Sequence, residues 1–131
     1  MQSLSILLLL LIPLTVVIAQ QREREVANLL NKRLAQLIMT KNQAQLKNLF
    51  QNDFHYNICR GQYLTLGQYM NRLLSYKAPV QFVHSVADAK IKFGLLEMRS
   101  FYKIQGTSMT VVFNVKQTAN SFKITSGYQE C

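Results

Sequence analysis

Apolar residues in the first part of the chain recur at helical spacing. Between Gln21 and Met39 they follow steps of three and four residues, which predicts an amphipathic helix with one buried stripe. Arg33 is the polar member at the edge of that stripe, which contains Val26, Leu29, Leu30, Leu34, Leu37 and Ile38. Asn42 is predicted to cap a second, short helix, because Gln45 follows it at the spacing of a capping box. That helix is expected to carry Ala44, Leu46, Leu49 and Phe50.

The centre of the chain changes from an alternating pattern to a helical one. Residues 53–59 alternate, which predicts a strand with one apolar and one polar face. The apolar face carries Phe54, Tyr56 and Ile58, and the other face carries Asp53, His55, Asn57 and Cys59. Arg60 and Gly61 turn the chain into a short strand over residues 62–64. Thr65 then caps a third helix that Pro79 stops, with the apolar stripe Leu66, Tyr69, Met70, Leu73 and Leu74.

From Val80 to the end the period of the pattern is two, which predicts four long strands in an antiparallel meander. A bulge near Ala87 and Asp88 is predicted in the first of them. It allows one face to carry Val80, Phe82, His84, Val86, Ile91 and Phe93. Helices segregated before a meander predict an α+β fold, in which three N-terminal helices pack on one face of a strongly curved, mostly antiparallel sheet.

The N-terminal segment is predicted to be separate from this fold. Leu4–Ile18 is an almost unbroken apolar run, which as a helix would span about 22 Å and fall short of the roughly 30 Å hydrocarbon core of a membrane. Small and β-branched residues before Gln20 form a cleavage pattern. We therefore expect a signal peptide over residues 1–19, a secreted domain over residues 20–131 and no stable membrane span after cleavage. An uncleaved membrane anchor is the alternative.

Charge and cysteine content narrow the class of protein. The chain has 15 Lys and Arg against 6 Asp and Glu, a formal charge of +9, and the cations are dispersed along it. This is typical of a soluble basic surface, with weak polyanion binding as the alternative, and it lacks the basic–aromatic pattern of a specific nucleic-acid binder. Two cysteines in a secreted chain predict one disulfide, Cys59–Cys131. No zinc-ligand spacing occurs, so neither a metal nor a cofactor is expected.

The order of elements resembles the nuclear transport factor 2-like superfamily, which includes ketosteroid isomerase-like and polyketide cyclase-like domains. The resemblance covers nearly all of the chain after the signal segment. It rests on the long first helix and on the segments LKNLFQNDFHYNI and RGQYLTLGQYMNRLL. It implies a cone, in which a bent sheet wraps around the long helix and leaves an apolar pocket at the wide end. Cystatins have a similar helix-on-sheet shape, but their Gln-x-Val-x-Gly loop is absent here.

The resemblance also suggests candidate site residues. In the enzymes of this superfamily an acid or base on the first strand faces the pocket, and the matching positions are Asp53, His55 and Asn57. His55 carries the imidazole that a proton transfer near neutral pH would use, and Asp53 could orient it. The remaining polar and aromatic pocket candidates are Tyr56, Tyr69, Phe82, His84, Phe101, Tyr102 and Phe113.

These observations leave functional classes open, because members of the superfamily include isomerases, dehydratases, epoxide hydrolases and binding modules without chemistry. The first class is a secreted, non-enzymatic binding module that holds a small apolar ligand or a partner protein in a pocket or on a sheet face. The second is a cofactor-free isomerase, dehydratase or hydrolase that uses His55 and Asp53. A polyanion-binding extracellular protein is the third, and a homodimer is compatible with each. The excess of apolar over titratable inward positions favours binding.

Overall fold

The structure is a computed structural model that describes residues 2–76, 83–104 and 107–131, with side chains described from residue 21 onward except at 83, 84, 85, 87 and 104. Nine elements follow one another. They are α1 (Gln2–Met39), α2 (Gln43–Asn48), β1 (Phe50–Ile58), β2 (Gln62–Thr65), α3 (Leu66–Leu74), β3 (Val83–Lys92), β4 (Leu95–Ile104), β5 (Thr107–Gln117) and β6 (Phe122–Gln129). The predicted α+β class and the order of helices and strands are confirmed.

The long helix α1 packs mainly on β3. Leu30, Leu34, Leu37 and Ile38 of the predicted stripe are buried, but Leu29 is 70 % exposed, so its inclusion is wrong. The buried face instead takes in Ala27 and Asn31, which the apolar pattern alone does not reveal. The helix also begins at Gln2 rather than Gln21, since the Leu-rich segment before it has high helix propensity. In the described part of the chain no helix is both long and apolar enough to cross a membrane.

The two short helices begin where their caps predict. The side chain of Asn42 accepts a hydrogen bond from the backbone N–H of Gln45. At α3 the Thr65 hydroxyl accepts from the N–H of Gln68 at 3.3 Å, and the Gln68 side chain accepts from the N–H of Thr65 at 2.9 Å. This reciprocal capping box fixes the start of α3. Phe50 is the exception, because α2 ends at Asn48 and Phe50 is the first residue of β1.

The six strands form one curved, unclosed sheet in the order β2-β1-β6-β5-β4-β3. The predicted meander from β3 to β6 is antiparallel throughout, and its predicted bulge lies between Val86 and Asp88. β1 is inserted beside β6 and runs parallel to it, which makes the sheet mixed. The face packed against α1 and α3 is called the inner face below, and the opposite one the outer face. The predicted positions Val80 and Phe82 lie outside the described residues.

The end of the β3–β4 hairpin differs from the prediction. Ile91 and Phe93 do not continue the buried face, because they are 50 % and 93 % exposed. Phe93 and Gly94 form the turn itself, with φ of 52° and 77°. Positive φ at both central residues is the geometry that suits a two-residue hairpin, although phenylalanine rarely adopts it. The apolar pattern therefore predicted wrongly that Phe93, a turn residue, belongs to a strand.

Four aromatic rings form the centre of the core beneath the helices. The ring of Phe50 lies 4.7 Å from that of Phe54, 5.9 Å from that of Tyr69 and 6.4 Å from that of Phe113, each in an edge-to-face arrangement. Such arrangements are favoured by the quadrupoles of the rings. This cluster joins α3 to both halves of the sheet, and it supports one wall of the pocket described next.

Candidate functional site

A small pocket lies between α1, α3 and the inner face of the sheet. Its volume is about 30 Å³, which is room for about two water molecules. The helices contribute Leu34, Ile38, Tyr69, Arg72 and Leu73, followed by Tyr76 just after α3, and the sheet contributes Tyr56, Tyr102, Met109, Val111 and Gln129. Apolar walls with a few polar groups are typical of a site for a small molecule or for one end of a larger one.

Two tyrosines form one wall of this pocket. The rings of Tyr56 and Tyr69 are stacked with centroids 4.5 Å apart, and the side chains are only 3 % and 6 % exposed. Among the described residues neither phenol hydroxyl has a hydrogen-bond partner. Burial raises the pKa of Tyr56 to about 12 and raises that of Tyr69 well above its ordinary value. Both hydroxyls are therefore protonated donors at neutral pH.

A third tyrosine joins the pocket to a buried polar group on α1. The hydroxyl of Tyr102 donates to Oδ1 of Asn31 at 2.6 Å, and burial raises the pKa of this tyrosine as well. Asn31 is 1 % exposed, and its Nδ2 has no partner within the described part of the chain. The sequence analysis did not identify Asn31. The signal that could have found it is its spacing, four residues after Ala27 and three before Leu34 on the buried stripe.

Arg72 supplies the positive charge of the pocket lining. It lies in the last turn of α3, where a cation complements the helix dipole, and it is exposed. In residues 2–76, 83–104 and 107–131 it has no ion pair with a carboxylate. Its guanidinium lowers the pKa of Tyr56 and of Tyr69, although burial outweighs it in both cases. The positive charge of Arg72 therefore acts on the hydroxyl groups of both tyrosines.

A glycine on β6 allows the tyrosine wall to form. Gly127 pairs with Tyr56 on the neighbouring strand. A Cβ at position 127 would lie 2.7 Å from Cδ1 of Phe113 and 3.3 Å from Cδ2 of Tyr56. The absent side chain therefore lets the rings of both strands pack over the backbone.

The residues predicted for catalysis do not line this pocket. Asp53 and His55 are exposed on the outer face, opposite Phe54 and Tyr56, because alternation sends neighbours in a strand to opposite faces. Asn57 is on the outer face too, paired with Tyr63 and Tyr128, and does not line this pocket.

The other pocket candidates have mixed outcomes. Tyr56, Tyr69 and Tyr102 line the pocket. Phe101 is instead exposed on β4, and Phe113 is a buried core residue that packs against Tyr69. The backbone of His84 pairs with Tyr102 in the β3–β4 ladder, and its side chain lies outside the described set, as does all of Phe82. Within the described residues no three His, Cys, Asp or Glu side chains are grouped to hold a metal ion.

The outer face of the sheet has exposed aromatic side chains rather than a cavity. Tyr63 on β2, Phe101 on β4 and Tyr128 on β6 are 65 %, 50 % and 37 % exposed. An ion pair crosses the same face, with Nε of Arg99 2.7 Å from a carboxylate oxygen of Glu130, and this carboxylate raises the pKa of Arg99. Aromatic and arginine side chains are enriched at protein interfaces, so this face is the second surface with binding potential.

Comparisons with known proteins place the fold. The sequence model of the NTF2-like domain family matches residues 24–131. A similar solved structure is an NTF2-like protein from Cytophaga hutchinsonii, with 16% identity, a TM-score of 0.66 and coverage of 83% of this chain and 98% of that chain. Another is an NTF2-like protein of unknown function from Silicibacter pomeroyi, with 10% identity and a TM-score of 0.68. The match covers 84% of this chain and 97% of that chain.

A third similar structure contains a bound molecule. It is a hypothetical protein from Catenulispora acidiphila with a ketosteroid isomerase-like fold, determined in complex with trimethylamine, with 16% identity, a TM-score of 0.50 and coverage of 72% of this chain and 78% of that chain. At such identities the likeness concerns the fold alone. No curated protein matches this chain.

Proposed function

Because this chain belongs to the NTF2-like domain family, whose shared fold does not fix an activity, we propose that it is a secreted binding protein without enzymatic activity. Its pocket takes up one end of a small, mostly apolar ligand. The observation that carries the proposal is the pocket lining, in which aliphatic side chains from Leu34, Leu73 and Val111 lie beside tyrosines whose hydroxyls stay protonated at neutral pH.

The alternative function, a proton-transfer enzyme, would need a general base, and the described pocket lining contains no such group. A proton-transfer enzyme needs a positioned base and usually a second group that stabilises developing charge. The described pocket lining contains neither a carboxylate nor an imidazole, and the tyrosines are held in their protonated form. His55 and Asp53 are exposed on the outer face, away from this pocket. These placements favour binding over catalysis at either location.

The size of the pocket limits what enters it. A volume of about 30 Å³ holds the end of an alkyl chain but not a whole metabolite. The half-buried residues Tyr76, Met109 and Gln129 complete the lining, so the remainder of a ligand would extend outward past them. Each methylene that enters would contribute about 0.8 kcal/mol to binding.

Blocking the pocket tests this proposal. We expect Met109→Trp to weaken binding of 1-hexanol at least tenfold, because the indole would occupy the lining, whereas Ser108→Trp on the outer face would leave affinity unchanged. Binding is measured as chemical-shift changes in ¹H–¹⁵N spectra, and the wild type is expected to show them at Leu34, Tyr69 and Val111. Equal affinity in both variants would place the ligand elsewhere. Turnover of an enone substrate that is lost in His55→Ala would instead support the enzyme alternative.

The proposal that the protein is secreted is tested separately. We expect the protein recovered from culture medium to begin at or near Gln20, because the cleavage pattern precedes that residue. N-terminal sequencing of the medium fraction measures this directly. Recovery of a chain with an intact Met1 in the membrane fraction would mean that the apolar run is an anchor and would contradict secretion.

A further inference from the structure

Three hydrogen-bond donors from β1 and α3 belong to residues of the pocket lining. Two are the hydroxyls of the stacked Tyr56 and Tyr69, and the third is the guanidinium of Arg72 one helical turn beyond Tyr69. The described part of the lining carries no carboxylate, and the amide of Gln129 is uncharged and can both donate and accept. The described lining therefore carries one net positive charge.

Packing alone does not explain these residue types. A phenylalanine at position 56 or 69 would fill the same space and retain the stacked arrangement without carrying a hydroxyl that has no protein partner. Each tyrosine is more than nine-tenths buried and contributes to the pocket lining, yet neither hydroxyl is among the fully buried polar atoms that lack a partner. The hydroxyls therefore reach solvent-accessible space, where water or a ligand can supply their partner. An acceptor supplied from outside the chain would satisfy both hydroxyls.

We infer that the ligand of this pocket carries a carboxylate, which is bound by Arg72 and by the hydroxyls of Tyr56 and Tyr69. The inference rests on the proposed function, because it assigns the ligand chemistry of the same pocket. A planar guanidinium matches the two oxygens of a carboxylate, and protonated phenols donate to it strongly. The single cation in the described lining neutralises the charge of a monoanion, whereas it would neutralise only half the charge of a phosphate dianion.

An aromatic lining has a second known use, the binding of ammonium groups by cation–π contacts. Four tyrosines line this pocket, so a small amine is the competing ligand class. The charge of Arg72 opposes it, because the guanidinium acts on the same phenols that an ammonium would contact. Like charges within one small site repel each other. The electrostatics of the lining thus favour an anion.

A matched pair of probes tests the inference. Hexanoate and 1-hexanol have the same alkyl chain and differ in the head group, and isothermal titration of the full secreted protein measures both. We expect the wild type to prefer hexanoate about tenfold at low salt, because its head group gains charge-assisted hydrogen bonds. Arg72→Gln should abolish the preference for hexanoate, and Arg72→Lys should restore part of it. Tyr69→Phe should reduce the preference severalfold.

The control removes an equal charge away from the pocket. Arg33 on α1 pairs with Gln36 and Gln45 at the surface, so Arg33→Gln should retain the full preference for hexanoate. Equal affinity of the wild type for both probes would overturn the carboxylate inference but leave the binding proposal intact. Binding of neither probe would count against the binding proposal itself. Tighter binding of trimethylamine than of hexanoate, or an unchanged preference in Arg72→Gln, would also overturn the inference.

Discussion

Replacement of both cysteines by serine is expected to lower the free energy of unfolding by about 4 kcal/mol. The disulfide Cys59–Cys131 joins residues 72 positions apart, with their Cα atoms at 5.7 Å, as the sequence predicted. Closing a loop of this length restricts the unfolded chain, and the entropic model gives this magnitude. The bond also fixes the C-terminus beside the end of β1. Urea unfolding followed by far-UV circular dichroism measures the difference in stability.

The double variant Cys59→Ser/Cys131→Ser is preferable to a single one, because it leaves no free thiol to form mixed dimers. The wild type unfolded in the presence of a reductant is the control, and its stability should fall to that of the variant. Because the disulfide lies outside the pocket lining, the folded variant should still bind hexanol. An unfolding midpoint equal to that of the oxidised wild type would contradict this prediction.

Phe50→Ala is expected to cost about 4 kcal/mol of stability, the range for removal of a buried phenylalanine. Phe50 is 2 % exposed and its ring contacts Phe54, Tyr69 and Phe113 at centroid distances of 4.7–6.4 Å. The substitution leaves a cavity at the point where α3 meets the sheet. For a domain of this size the melting temperature should fall by roughly 20 °C. Differential scanning calorimetry measures it.

Phe101→Ala is the matched control for this core substitution. Phe101 is 50 % exposed on the outer face of β4, so its removal should change stability by less than about 1 kcal/mol. A core variant that melts within a few degrees of the Phe101 control would falsify the assignment of the aromatic cluster as the centre of the core. Because Phe50 packs on Tyr69, hexanol binding should weaken in Phe50→Ala wherever the variant remains folded.

Local signals in the sequence determined most of the fold. Caps at Asn42 and Thr65, the glycine turn at Gly61 and the alternation from Val83 onward each act over a few residues, so a single sequence reveals them. Predictions were wrong where an apolar residue is not buried. Leu29 and Phe93 fit an apolar pattern but lie at the surface, because burial depends on which elements cover a position rather than on the residue itself.

The pocket could be predicted only in part. Tyr56, Tyr69 and Tyr102 were identified as aromatic pocket candidates, whereas Asn31, Arg72 and Gln129 were not assigned to a site. These residues come from α1, α3 and β6, and only the tertiary packing brings them together. The prediction of His55 and Asp53 depended on the superfamily resemblance, and the burial of Phe54 and Tyr56 placed that pair on the other face. Conversely, Gly127 gave no local signal, since its role depends on two rings from other strands.

The parallel pairing of β1 with β6 has a consequence for synthesis of the chain. Among the described strands β6 comes after the others in sequence, yet it lies inside the sheet between β1 and β5, so the two parts of the sheet cannot join until residues 122–129 have been synthesised. Contacts between segments so far apart in sequence slow folding, because the intervening loop must close first. A chain truncated before Phe122 would present the unpaired edges of β1 and β5, and such edges pair readily with other molecules. Premature termination before β6 is therefore expected to give an aggregating product rather than a smaller folded domain.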